Sequence, residues 1–141
     1  DVHLAAEMIR GGAVVDTIEL AITWEKAKEL YHETIESLRG LEGTIYASGH
    51  FSHFYQDGVC LYLTFAGFPT SQDEYYWRAW KEVMETTLKL GGSISHHHGV
   101  GLVRDRWMKD ELGEYFELLK KIKKAVDPKK IFNPGKLGWG K

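Results

Sequence analysis

Three consecutive histidines, His96, His97 and His98, are the residues of this chain best suited to proton chemistry. The unperturbed pKa of an imidazole, about 6.5, lies closer to neutrality than that of other side chains. Gly99 and Gly101 follow the run directly, and glycine lets a backbone come close to a neighbouring group. The pattern therefore favours a loop that faces a substrate or a flat cofactor.

Other interpretations of the histidine run are a pH-dependent surface loop, a metal site and a nucleic-acid contact. Neighbouring side chains on extended backbone point to opposite faces, so three adjacent imidazoles do not readily converge on one ion. No base-stacking module accompanies the run, as sequence-specific RNA binding would require. We therefore predict no metal and no nucleic-acid partner.

Tyr62 is the second candidate, in the apolar run Val59–Phe65. Alternation along a strand puts Cys60, Tyr62 and Thr64 on one face and the larger apolar residues on the other. By itself this pattern favours a core tyrosine, and a strand that lines a pocket is the alternative. Cys60 is the only cysteine of the chain, which excludes an internal disulfide.

Hydrophobic periodicity predicts the elements that must position these residues. We expect helices over 2–10, 24–38, 72–90 and 106–126, and strands over 13–22, 44–48 and 59–65, with a short strand through Ile94. Asp57-Gly58 predicts a hairpin turn. The length of 141 residues suits one domain. This order of elements predicts an α+β fold, a mainly antiparallel sheet with helices packed on one face.

Charge is divided unevenly along the chain. Residues 1–103 contain 7 basic and 14 acidic side chains, and residues 104–141 contain 11 and 6. The C-terminal lysines alternate with apolar residues at helical spacing, which predicts the solvated face of an amphipathic helix and, second, an anion-binding patch. The segment 127–136 contains two prolines and predicts a strap that docks through Ile131 and Phe132. No long apolar run or signal peptide is present, so a cytoplasmic location is expected, with membrane association as an alternative.

Three segments together resemble a known family. They are residues 91–101 around the histidines, Arg106-Trp107-Met108-Lys109, and residues 126–136 with the sequence Val-Asp-Pro-Lys-Lys-Ile-Phe-Asn-Pro-Gly-Lys. They are similar to the C-terminal region of flavoproteins of the vanillyl-alcohol oxidase type, the FAD-linked oxidase C-terminal domain. Within this family, the triple histidine resembles the alkyldihydroxyacetonephosphate synthase branch. The glycolate oxidase and D-lactate dehydrogenase branch typically has one histidine, in a Glu-His-Gly-Ile-Gly context.

The resemblance implies that residues 1–141 form the cap domain that covers the flavin ring and builds the substrate site. It also implies an upstream FAD-binding domain that this chain lacks. We therefore expect the chain to be a fragment that by itself binds FAD weakly or not at all. A small-molecule substrate that carries a phosphate is implied, and a homodimer and a peripheral membrane contact are open expectations.

In the synthase branch, an acyl group on dihydroxyacetone phosphate is exchanged for a long-chain alcohol, with the flavin as a covalent electrophile. The resemblance places the catalytic tyrosine at Tyr62 and the most critical histidine at His97, with His96 and His98 orienting it and contacting substrate or flavin. Asn133 is the further residue expected to contact the cofactor. A free phenol titrates near pH 10, so a tyrosine that acts as a base needs a neighbouring cation, which the histidine loop would supply.

Two features differ from the synthase pattern. Thr64 stands where the synthase strand has a second tyrosine, and Asn133-Pro134-Gly135-Lys136 is more similar to the dehydrogenase branch. An FAD-dependent dehydrogenase of 2-hydroxy acids is therefore the first alternative. A binding domain without catalysis is the second.

Overall fold

The computed structural model describes residues 2–137. Its helices are α1 (Val2–Arg10), α2 (Trp24–Arg39), α3 (Gln72–Lys89), α4 (Met108–Leu112) and α5 (Glu114–Val126), with a 3₁₀ turn at Arg104–Trp107; its strands are β1 (Val14–Thr23), β2 (Thr44–Phe54) and β3 (Gly58–Gly67). The chain divides into two compact units, which meet in sequence between His96 and His97. No helix among the described residues is long and apolar enough to cross a membrane.

The first unit is built on a three-stranded antiparallel sheet with the order β1-β3-β2. The predicted hairpin at Asp57-Gly58 joins β2 to β3, and β1 pairs with the other side of β3, Tyr62 opposite Glu19. The predicted α+β class is therefore confirmed. Strand β2 is longer than expected and continues to Phe54. The prediction ended early because the second half of the strand contains polar residues and lacks the apolar pattern of a strand.

One face of the sheet packs against α2 and α3 and forms the core. Leu61, Leu63 and Phe65 of β3 point to this face. The fully buried apolar residues at this interface are Ile18, Leu20, Leu30, Leu38, Leu61, Leu63, Phe65, Val83 and Met84. Trp80 of α3 adds a hydrogen bond from its indole nitrogen to the Asp16 carboxylate, at 3.1 Å. Burying each large aliphatic side chain contributes about 1.5–3 kcal/mol, so this face holds the unit together.

Three- and four-residue spacing predicts apolar helix faces that include Trp24 in α2 and Tyr76 in α3, and at these two positions the prediction is wrong. Trp24 is 42% exposed, and its indole nitrogen donates instead to the backbone oxygen of Tyr55. In α3 the buried aromatic pair is Tyr75 and Trp80 rather than Tyr76 and Trp80. Periodicity identifies a helix, but the direction of its buried stripe depends on the sheet that covers it.

The helix predicted over 106–126 is interrupted. Gly113 adopts a positive φ of 54° and separates α4 from α5, and the residues before α4 form the 3₁₀ turn. The short strand expected through Ile94 is reduced to a single bridge between Ser93 and Ala21. In both places the predicted type of secondary structure is present, but a local change in backbone conformation makes the regular element shorter than predicted.

Gly43 offers a test of the turn that leads into β2. Its φ is 88°, and a Cβ atom there would lie 2.7 Å from the Pro69 Cα. Gly91 has a φ of 75° with open space around it among the described residues. We expect Gly91→Ala to cost about 1 kcal/mol of unfolding free energy from backbone strain alone. Gly43→Ala should cost about 2–4 kcal/mol, because overpacking adds to strain.

Chemical denaturation of both variants measures this difference. Equal losses of stability in the two variants would contradict the close approach of Gly43 to Pro69.

Candidate active site

The face of the sheet opposite the core is polar. Residues paired across the strands share a face, and the register therefore places a set of polar side chains together: Thr17 and Glu19 of β1, Cys60, Tyr62 and Thr64 of β3, and Ser48, His50 and Ser52 of β2. We call these eight residues the polar face. Because this face of the sheet is polar, the hydrophobic effect does not drive another element to cover it, and its side chains can act as functional groups.

Tyr62 lies at the centre of the polar face. The side chain is half-buried, its hydroxyl donates to Thr17 Oγ1 at 3.2 Å, and its ring stacks on His50 with centroids 5.2 Å apart. The phenol therefore belongs to the polar face rather than to the core, as the pocket-lining interpretation of this strand requires. The stacked imidazole and the threonine hydroxyl fix its orientation.

Glu19 connects the polar face to the histidine run. This side chain is fully buried on β1, directly opposite Tyr62. Its two carboxylate oxygens accept hydrogen bonds from the Ser95 hydroxyl, at 3.1 Å, and from the backbone N–H of His96. A buried carboxylate is stable only when such donors satisfy it. Glu19 therefore fixes the start of the histidine run.

Two backbone hydrogen bonds attach the same segment to the edge of the sheet. The amide of Ser93 donates to the Ala21 oxygen at 2.8 Å, and the amide of Ala21 donates to the Ser93 oxygen at 3.0 Å. Ile94 between the serines is buried. Residues 93–96 are therefore held along β1, and their position depends on strand pairing as well as on Glu19.

Glu19 is a residue of the site that was not predicted from the sequence. A usable signal was present, because a charged residue stands inside the apolar strand Val14–Thr23, between Ile18 and Leu20. Buried glutamates are uncommon unless they are paired. The identity of the partner was not readable, since Ser95 and His96 are far from Glu19 in sequence.

His96 is half-buried and held by aromatic neighbours. Its Nε2 lies 2.9 Å from the Tyr55 hydroxyl, and its ring centroid lies 5.0 Å from that of His53 and 5.6 Å from that of Tyr55. The position of the His96 ring is therefore fixed both by a hydrogen-bond contact at its nitrogen and by contacts with two neighbouring rings. Tyr55 and His53 were not singled out in the sequence, where no spacing relates them to the histidine run.

His97, His98 and Asn133 belong to the second unit, whereas Tyr62 and His96 belong to the first. His97 and His98 are exposed, and their rings meet edge to face at 4.5 Å. The pairing of Tyr62 with His97 therefore stays a prediction. The glycines after the run have positive φ, 77° at Gly99 and 57° at Gly101, so the loop conformation itself favours glycine at both positions.

Two further contacts stiffen the loop that follows the histidines. The buried guanidinium of Arg104 donates to the backbone oxygen of Gly99 at 3.2 Å, and the Arg104 amide donates to the Val100 oxygen at the same distance. The second unit thus holds the downstream end of the loop by its own hydrogen bonds.

The segment after α5 is organised by Asp127, whose side chain is 4% exposed. Its carboxylate accepts from Lys123 Nζ at 2.6 Å and from the amides of Ile131 and Phe132 at 2.9 and 3.1 Å. Lys123 also donates to the Phe132 oxygen at 2.6 Å. The segment is therefore tied to the end of α5 by polar contacts. Ile131 and Phe132, which we expected to dock it, are about two-thirds exposed within the described residues.

A cavity of about 390 Å³ lies between α5 and this segment. Its lining includes six lysines and Asn133; the lysines are Lys120, Lys121, Lys123, Lys124, Lys130 and Lys136. Asn133 has a positive φ of 45°, a conformation that asparagine tolerates better than most residues. The anion-binding patch considered for the C-terminal lysines therefore has a concave shape.

Comparison with known proteins identifies the class of this domain. The family model described as FAD linked oxidases, C-terminal domain, matches residues 3–137. An alkyldihydroxyacetonephosphate synthase of Trypanosoma brucei brucei is 42% identical over 91 residues, 62% of this chain and 15% of the trypanosome protein. A D-lactate dehydrogenase of Archaeoglobus fulgidus is 31% identical over 125 residues, 89% of this chain and 25% of that protein.

A solved structure of an alkyldihydroxyacetonephosphate synthase is similar in fold, with a TM-score of 0.63 and 24% identity over 95% of this chain and 23% of the other. This chain belongs to the C-terminal domain family of the FAD-linked oxidases, as the resemblance predicted, and the cofactor of that family is FAD. The chain spans less than a third of the length of the relatives it matches.

The role of Glu19 leads to a first prediction for the site. In Glu19→Gln the amide group presents a donor where the carboxylate accepts, so one of the two loop contacts is lost. Hydrogen bonds to charged groups contribute about 1.5–3 kcal/mol, and we expect a loss of that size in unfolding free energy. The backbone amide of His96 should also exchange with deuterium faster.

Glu25→Gln is the matched control, because Glu25 is exposed on α2 and should change stability by less than about 0.5 kcal/mol. Unchanged exchange at His96 in Glu19→Gln would contradict the anchoring role.

The Asp127 cluster leads to a pH prediction. The hydrogen bond from Lys123 lowers the pKa of the Asp127 carboxyl, and the amides of Ile131 and Phe132 lower it further. A carboxyl whose folded pKa is depressed stabilises the fold above its unfolded pKa, about 3.9, and this contribution is lost as the pH falls through the folded value. At neutral pH, Asp127→Asn should therefore speed deuterium exchange at the amides of Ile131 and Phe132.

The difference in deuterium exchange rate between Asp127→Asn and the parent protein should become smaller as the pH falls below about 4. Asp110→Asn on α4 serves as the control, with exchange at both amides expected to stay at the parent rate. A difference for Asp127→Asn that persists undiminished in acid would argue against the carboxylate as the cause.

Proposed function

We propose that this chain is the domain that builds the substrate site of an FAD-dependent enzyme similar to alkyldihydroxyacetonephosphate synthase. The reaction is exchange of the acyl group of an acylated dihydroxyacetone phosphate for a long-chain alcohol, which forms an ether bond. Family membership supports the flavoenzyme class, and the relative that is 42% identical supports the synthase branch.

One observation carries the proposal: Glu19 holds the start of the histidine run against the polar face whose central residue is Tyr62. A buried charged residue is expensive to keep unless it is fully paired. Here it ties a loop of proton-transfer groups to a strand that bears a phenol. Such fixed placement is what general acid–base catalysis needs, and each positioned group commonly contributes about 10²–10⁴-fold in rate.

The residues present fit a flavin. The polar face offers a stacked imidazole and phenol, His50 and Tyr62, whose ring nitrogens and hydroxyl are groups that can hydrogen-bond to a flavin. We propose that the cofactor is contacted by His96, His97, His98 and Asn133. An upstream domain would hold most of the cofactor. When bound, FAD supplies the electrophile for the exchange.

The chain's own residues would manage protons and substrate. We assign Tyr62 as the group that removes a proton beside the substrate carbonyl and His97 as its acid–base partner. His96 and His98 would orient His97 and contact substrate or flavin. The lysine-lined cavity of the second unit has the charge to attract a phosphate-bearing substrate by long-range steering.

A dehydrogenase of 2-hydroxy acids is the second candidate. Thr64 on the polar face and the Asn133–Lys136 segment favour it, as does the similarity to a D-lactate dehydrogenase. In that reaction a histidine takes the hydroxyl proton while a hydride passes to the cofactor. Tyr62 would then have no acid–base role, which separates the two candidates.

The test compares variants in the complete flavoprotein that contains this domain. His97→Ala and Tyr62→Phe should each lower kcat for ether formation about 10²–10⁴-fold, while FAD content and thermal unfolding stay at parent values. His32→Ala, an exposed histidine of α2, is the matched control.

Reduction of the flavin by D-lactate or glycolate would support the dehydrogenase instead, provided that this reduction is lost in His97→Ala and retained in Tyr62→Phe. Near-parent activity of His97→Ala in both assays would overturn the role of this histidine. No turnover in either assay by an FAD-loaded parent protein would favour a non-catalytic binding domain.

A further inference from the structure

Three potential metal ligands meet at one end of the polar face. One ring nitrogen each of His53 and His96 and the Sγ of Cys60 all lie within 4.8 Å of one another. They come from three separate elements: β2, β3 and the segment that Glu19 anchors. Sulfur and imidazole nitrogen are together the donor set that tetrahedral zinc sites use.

A β-bulge directs His53 into this cluster. Ser52 pairs with Cys60 and Phe54 pairs with Val59, so His53 is the extra residue between two registered pairs. Its φ is 50°, in the left-handed region. Without the bulge, alternation would turn the side chain after Ser52 away from Cys60. Bulges often redirect a side chain next to a functional site.

Cys60 is fully buried on the polar face beside these rings. Burial raises the pKa of its thiol, a hydrogen bond with Ser52 opposes that shift, and the nearby Glu19 carboxylate raises the pKa further. The same negative charge on Glu19 that disfavours a bare thiolate favours a metal cation next to the sulfur.

Both imidazoles also have a hydroxyl neighbour. His53 Nδ1 lies 3.2 Å from Ser52 Oγ, and His96 Nε2 lies 2.9 Å from the Tyr55 hydroxyl. Histidine ligands of metals almost always use their second nitrogen for such a bond, which fixes the tautomer and the ring direction. These hydroxyl contacts orient the two rings, and they would serve as outer contacts of a metal site if the other nitrogen of each ring binds the ion.

We propose that Cys60, His53 and His96 bind a divalent transition metal ion, and that the ion is zinc. On binding, the Cys60 sulfur releases its proton to solvent as the S–Zn bond forms, with no change in oxidation state. Zinc bonds of about 2.0–2.3 Å require the ligand atoms to stand roughly 3.3–3.6 Å apart, so small side-chain rotations complete the site. Cys60, His53 and His96 supply three of the four ligands that a tetrahedral zinc ion takes.

This site differs from ligation by three adjacent histidines, which strand geometry disfavours. The ligand set proposed here takes His53 and Cys60 from the sheet and His96 from the histidine run. The inference does not rest on the proposed flavoenzyme activity: His96 is the one ligand with an assigned role in that activity, whereas Cys60 and His53 have none and carry the variants that test metal binding. Metal binding and ether formation are therefore tested separately.

The test uses Co²⁺ as a spectroscopic probe for the zinc site in the purified protein. Cobalt bound by a thiolate gives an intense near-ultraviolet charge-transfer band. Cys60 is the only cysteine of residues 1–141, so when these residues are purified alone the band identifies the Cys60 thiolate as a ligand. We expect one equivalent of Co²⁺ to produce the band and one equivalent of Zn²⁺ to abolish it.

His53→Ala should weaken Zn²⁺ affinity in this competition by about 10- to 100-fold or more, and Cys60→Ser should remove the band. The control is His32→Ala, which should leave affinity and band unchanged. His53 is exposed, so its variant tests the site even if Cys60→Ser fails to fold.

Cobalt binding without the band would show that the histidine run alone holds the ion and would overturn the proposal. An equal loss of affinity in His53→Ala and His32→Ala would overturn it as well, as would the absence of any binding by the folded parent protein.

Discussion

The burial of Glu19 is the constraint on which the candidate site depends. A carboxylate removed from water is tolerated only when strong donors replace the water, and here the donors are the Ser95 hydroxyl and the His96 amide. If that segment moves away, the buried Glu19 carboxylate loses these two hydrogen bonds. Anchoring the loop therefore stabilises the folded state of the first unit. As a result, a change in the position of the loop also changes the unfolding free energy of that unit.

The same strands serve two purposes because the sheet has two chemically different faces. Leu61, Leu63 and Phe65 bury one face against the helices, while the alternate positions of β3 present Cys60, Tyr62 and Thr64. Stability comes from the apolar face, so the polar face is free to vary with function. With this division, one type of domain can serve different activities, and this chain is similar both to a synthase and to a D-lactate dehydrogenase.

Much of the secondary structure was predictable because it follows from local pattern. The hairpin at Asp57-Gly58 and the ends of α2 and α3 agree with expectation to within a residue or two. The misses came from tertiary context or from backbone conformation. The buried stripe of α3 includes Tyr75 rather than Tyr76, since the sheet decides which side is covered. The predicted last helix breaks at Gly113, whose positive φ no hydrophobic period records.

For the site, the sequence by itself determined the histidine run, the alternation that gives Tyr62 its face, and the family. These are local properties of composition and spacing. Only the tertiary structure decided that Glu19 meets the segment before His97, and that a bulge at His53 brings an imidazole to Cys60. Both depend on contacts between residues far apart in the chain, which strand pairing creates and no local pattern encodes.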